Sequence, residues 1–120
     1  MGAAKLYAVG RLAYSAGLIL APAQVAGGWI GRDAAAGAGG QIGVRGLAGR
    51  DVSLAVGLLM ADVRGRSPRP WLILCAIGDL ADLTATLVAP AGDLPANARL
   101  GTIVLAGGSA LVGGILALRN

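Results

Sequence analysis

Four stretches of this chain, at about residues 4–22, 41–63, 71–89 and 98–118, are apolar for long enough to cross a bilayer, yet ionisable residues lie inside the first three. A helix needs roughly 20 mostly apolar residues to traverse about 30 Å of hydrocarbon. No segment alternates polar and apolar residues over the ten or so positions of a membrane strand, so helices are expected rather than a barrel. The balance of residues agrees, with 56% hydrophobic and 13% charged among 120 residues. Soluble domains run at roughly 45–50% and about 25%. The expected fold is all-α: one membrane domain over residues 1–120, a four-helix transmembrane bundle with short loops.

The connections are expected to be irregular. Residues 23–40 read as the longest linker, glycine-rich, with Trp29 as an interfacial anchor. Residues 64–70 form a short basic link with two prolines, and residues 90–97 a turn bounded by Pro90 and Pro95. With four spans, Lys5, Arg64, Arg66, Arg69 and Arg119 fall on one side, and Arg32 and Arg99 on the other beside Asp33 and Asp93. Cytoplasmic loops carry the basic excess, which places both termini in the cytoplasm and the protein in the cell (plasma) membrane. A competing reading makes Lys5 and Arg11 a charged leader, Leu12–Leu20 its apolar core and Ala21-Pro22-Ala23 a cleavage site.

Missing residue types narrow the chemistry. With no His, neither a Ser–His–Asp nor a Cys–His nucleophile pair can form. Cys75 is the lone thiol, so no internal disulfide, CxxC motif, zinc set or iron–sulfur set is available. No cofactor motif is present, and none is expected. The net charge of +4 is scattered rather than gathered into a basic stripe beside stacking aromatics, which argues against nucleic acid.

The charges inside the spans are the candidate site. Arg11, Arg45 and Arg50 balance Asp51, Asp79 and Asp82. Each would cost about 2.5–3.5 kcal/mol at the bilayer centre on insertion scales, so they should face one another or a wet cavity. At about 1.5 Å per residue, Arg50 and Asp51 lie roughly 14 Å into the second span, and Asp79 and Asp82 roughly 12–17 Å into the third from the opposite side. The depths match, so Arg50 is expected to pair with Asp79 or Asp82. Helical steps extend the Asp79–Asp82 stripe to Cys75 and Thr86, and place Tyr7, Arg11 and Tyr14 on one face of the first helix. Arg45 is shallow enough to snorkel outward. On the fourth span, Ala106, Ala110 and Gly114 repeat a small-residue spacing that suits close helix packing, with a homodimer or a partner membrane protein as the alternative use.

The stretch Gly49-Arg50-Asp51 with Leu54 and Gly57, preceded by Arg45, and followed by Gly78-Asp79 with Asp82, resembles a family of small bacterial four-helix integral membrane proteins of uncharacterised function. Trp29-Ile30-Gly31 adds to the likeness. The resemblance implies four spans and a paired Arg–acid core, and no activity. The expected role is therefore a non-catalytic accessory or scaffold protein whose partner is the lipid bilayer. The alternatives are a proton-coupled small transporter, and a membrane enzyme acting on a lipophilic substrate through an intramembrane Asp.

Overall fold

The computed structural model describes residues 2–120, which are helical almost throughout. In chain order the helices are α1 (Ala3–Leu20), α2 (Pro22–Ile30), α3 (Arg32–Ala36), α4 (Ala38–Val63), α5 (Arg69–Val88) and α6 (Ala98–Arg119). Within α6 the residues Ile103–Gly107 form a π-helical turn.

α1 and α4 pack antiparallel along a seam of small side chains. Ala8, Ser15, Ala48 and Ala55 are wholly buried, which lets the two backbones approach closely. Leu18 packs with Val44 and Ala48 at one end of the seam, Ala8 with Ala55 and Leu58 towards the other. A Lys5–Asp62 ion pair at 3.0 Å closes the far end. α5 and α6 form the second pair, with Leu72 of α5 in the same buried cluster as Leu116 and Ala117 of α6. Gly57 joins the pairs: a methyl group there would run into the ring of Trp71, so only glycine admits the indole against α4.

The turn from α4 to α5 uses Gly65 at φ 62°. Its amide donates to the Asp62 carbonyl, and the amide of Arg66 to that of Ala61. This pair of bonds satisfies the last carbonyls of α4 and reverses the chain.

The expected linker over residues 23–40 is instead mostly helical. Pro22 lacks an amide hydrogen and cannot continue α1, but its fixed φ suits the first turn of a new helix. The chain therefore bends by 100° into α2. Gly31, at φ 95°, separates α2 from α3, and extended Gly37 separates α3 from α4. Ala26 and Ala35 are wholly buried in the cluster around Leu18, and a side chain at Gly40 would collide with the Ala34 carbonyl. Tertiary burial thus overrides the local glycine content.

Helices α5 and α6 are long and apolar enough to cross a membrane, with mean hydropathies of 1.7 and 1.9. α1 and α2 meet that standard only when taken together across their bend, and α4 is held back by Arg45, Arg50, Asp51 and Asp62. Of the expected four-helix transmembrane bundle, the structure carries the all-helical architecture and two or three helices of spanning character. The outward faces of α5 and α6 are strongly apolar, with Ile77, Val104, Leu111 and Leu118 each more than half exposed.

Candidate functional site

Three helices bring five charged side chains into one chain of alternating sign. Asp79 of α5 receives Arg11 Nη1 of α1 at 2.8 and 2.9 Å, one contact to each carboxylate oxygen. Arg11 Nη2 lies 3.0 Å from Asp51 Oδ1 of α4. This second contact is an ion pair without hydrogen-bond alignment. Asp51 Oδ1 also accepts from Arg50 Nε at 3.1 Å and Nη2 at 2.9 Å. Arg50 then forks onto Asp82 of α5, Nη1 to Oδ1 at 3.1 Å and Nη2 to Oδ2 at 2.7 Å. The order is Asp79–Arg11–Asp51–Arg50–Asp82.

Local sequence explains how each arm reaches. Asp79 and Asp82 sit one helical turn apart, so one face of α5 offers both carboxylates. Gly78 leaves the α5 backbone bare where the Arg50 guanidinium lies against it; an added methyl would come within 3.4 Å of Arg50 Cζ. Of the two carboxylates depth allowed for Arg50, the structure pairs it with Asp82 and gives Asp79 to Arg11.

Arg45 does not join. It is exposed, its Nε donates to the Ile19 carbonyl at 3.1 Å and its Nη1 to Gln41 Oε1 at 2.8 Å. The bend at Pro22 leaves the Ile19 carbonyl without its usual helical donor, and a cation is favoured at a helix C-terminus. The expected balance of three against three is therefore corrected. The buried network holds Arg11 and Arg50 against Asp51, Asp79 and Asp82, a formal excess of one negative charge.

The other candidate residues fall around this chain. The Tyr7 hydroxyl lies 3.3 Å from Asp79 Oδ2, 3.2 Å from the Ser109 carbonyl and 3.1 Å from Ser109 Oγ. It also accepts from Arg11 Nη1 at 3.2 Å. A Cβ at Gly113 would come within 2.9 Å of that hydroxyl, so the glycine makes room for it. Cys75 is a free thiol buried one turn before Asp79. Thr86 Oγ1 donates to the Asp82 carbonyl and accepts the Trp29 indole N–H, both at 2.8 Å. Trp29, expected as an interfacial anchor, thus reaches inward to α5. Tyr14 is the exposed member of its stripe, 47% accessible.

Beside the network lies a half-open cavity of about 660 Å³. Arg11, Asp51, Asp79 and Asp82 line its inner wall, and Tyr14, Trp29, Leu47 and Leu105 are among the apolar groups opposite. It exists because α1 and α6 meet mainly where Tyr7 reaches Ser109, leaving their faces apart elsewhere. Gly10 of α1 and Gly101 of α6 line it without side chains of their own. The π turn of α6 flanks it through Leu105 and Ala106.

Besides Arg11 Nη2, whose approach to Asp51 is the ion pair above, two buried polar atoms are left over. Arg11 Nε and Ser15 Oγ are buried without a hydrogen-bond partner. Among the described residues no group of three His, Cys, Asp or Glu side chains is placed to hold a metal ion. Sequence reasoning missed Ser109, the inward Trp29 and the bare face at Gly78, because each depends on contacts across helices. No family model, curated protein or solved structure matches this chain.

Proposed function

We propose that this protein is a four-span integral membrane protein of the plasma membrane that holds a small lipophilic molecule in its mid-bundle cavity, as a non-catalytic accessory component. The observation that carries this reading is the cavity itself. A volume of about 660 Å³ lies within the range of small-molecule sites, and a largely apolar lining with a few convergent polar groups is their usual character. The exposed apolar belt on α5 and α6 supports immersion in lipid. For α1 and α4, the Arg–Asp chain supplies the partners their charges need in hydrocarbon.

The ends support an orientation with both termini in the cytoplasm. Ser67 Oγ lies 3.4 Å from the Asn120 carbonyl, and Lys5 bridges to Asp62. Lys5, Arg64, Arg66, Arg69 and Arg119 therefore cluster at one end of the bundle. The resemblance to small four-helix membrane proteins fits the same topology.

A second reading, a small transporter, is favoured by the two irregular helices at the cavity, the bent α1–α2 and the π turn of α6. Discontinuous helices and π turns recur at membrane transport and functional sites. Catalysis by Asp79 or Asp82 as a general acid is less well supported, since both oxygens of each already accept from guanidinium donors.

The test is saturable binding of lipophilic probes to the protein in phosphatidylcholine nanodiscs, corrected for empty discs. Nile red and charged hydrophobic ions sample neutral and ionic ligands. Gly10→Phe should block binding by filling the cavity, because a Cβ at Gly10 meets nothing within 4 Å. Failure of every probe to bind above empty discs would return the protein to a purely structural role.

A further inference from the structure

We infer that the cavity selects an amphiphilic organic cation of single charge, its positive group against Asp51 and its apolar body between Tyr14, Trp29 and Leu105. The inference rests on the binding reading above and adds the class of ligand.

Three observations carry it. First, the network is one positive charge short. With Arg45 turned away to the Ile19 carbonyl, two guanidinium groups face three carboxylates. In a medium of low dielectric an uncompensated charge is costly, so the site favours whatever supplies the missing one.

Second, the vacancy has an address. The hydrogen bonds from Arg50 to Asp51 fall on Oδ1, and so does the ion-pair contact from Arg11. Oδ2 has no hydrogen-bond donor among the described residues, although Asp51 is only 6% exposed and lines the cavity. Asp79 and Asp82, by contrast, have both oxygens engaged.

Third, the remaining wall suits an organic cation rather than a metal ion. Tyr14 and Trp29 are among the residues that line the cavity, and aromatic side chains attract a cation that carries its own apolar groups. Among the described residues no three acidic or thiol ligands converge as a metal would need. The volume of about 660 Å³ accommodates an organic body and not a lone ion.

The experiment compares two ions of one shape and opposite charge. Equilibrium binding of tetraphenylphosphonium and of tetraphenylborate is measured on the protein in phosphatidylcholine nanodiscs, with Nile red as the neutral reference. Tetraphenylphosphonium is expected to bind saturably at one per chain, with tetraphenylborate at the level of empty discs. Asp51→Asn should weaken the cation by about tenfold or more while leaving Nile red unchanged, since the amide keeps the shape and removes the charge. Gly10→Phe, which leaves the ion network intact, should abolish binding of the cation.

If Nile red binds and Gly10→Phe blocks it, yet the two ions bind equally or not at all, the cation assignment falls and the cavity stands. If none of the three probes binds, both readings fall together. Unchanged cation affinity in folded Asp51→Asn protein also overturns the assignment. Should that variant not fold, the ion comparison on the unaltered protein decides alone.

Discussion

Arg11 has partners on three other helices, Asp51 of α4, Asp79 of α5 and Ser109 of α6. Its side chain is 7% accessible, whereas that of Arg50 is 35% accessible. Arg11→Leu therefore strands two buried carboxylates and should destabilise the protein by about 3–5 kcal/mol. Arg50→Leu should cost less, because Asp51 keeps Arg11 and Asp82 is the more open acid. Thermal unfolding in detergent followed by circular dichroism would rank them; the reverse order would contradict this account. Arg11→Lys should not rescue, since a point ammonium cannot span two carboxylates as a planar fork does. The Arg50–Asp82 pair should show a coupling of about 0.5–3 kcal/mol in a double-mutant cycle, and exchanging the two residues should restore part of each single loss. Matching depth along two helices made this pair legible in the sequence. The Arg11–Asp79 pair was not, because helical spacing places Arg11 on a face without saying which neighbour that face meets. Arg45 turns outward as its shallow depth predicts, but the carbonyl it serves, that of Ile19, was not legible, because it becomes available only once the chain bends at Pro22.

Elements were easier to foresee than their joints. Apolar length and the prolines at residues 68, 70, 90 and 95 mark the long helices and their turns, and α5 and α6 begin and end within a few residues of the expected bounds. Residues 23–40 escaped because glycine lowers helix propensity locally, while burial of Ala26 and Ala35 repays that deficit only in the folded chain. The π turn at Ile103–Gly107 has no comparable signature. Helix–helix contact also depends on single glycines whose role is visible only in three dimensions. Gly57→Ala should lower stability by about 1–3 kcal/mol through overpacking against Trp71. Trp71→Leu should relieve most of that penalty in the double variant. Unfolding curves of the two singles and the double test this, and simple additivity would show that the indole is not what Gly57 accommodates.

The whole molecule is two antiparallel helix pairs, α1 with α4 and α5 with α6, tied through the Arg–Asp chain and parted where α1 faces α6. Its long dimension is 45 Å against 24 and 19 Å across. On the four-span reading, a cytoplasm-dependent fluorescent reporter fused after Asn120 should be active and an export-dependent phosphatase silent. Replacing Arg64, Arg66 and Arg69 together by Gln should shift part of the population to the inverted orientation, since basic residues flanking the spans set the direction. An export-active reporter on the unaltered chain would refute the topology.

The alternating chain of charges also imposes an order on synthesis. Arg11 and Arg50 leave the ribosome before Asp79 and Asp82, by seconds at about 5–20 residues per second. During that interval the chain holds α1 and α4, neither of which passes as a span on its own, and only Asp51 of the network's three carboxylates. A chain truncated after Val63 should integrate poorly, and glycosylation tags in microsomes would record that. Extension to Val88 should improve integration, because α5 delivers both a strongly apolar span and the two missing acids. On the four-span reading the later helix thus acts as a chaperone for the earlier ones, and integration becomes a single late event instead of four successive ones.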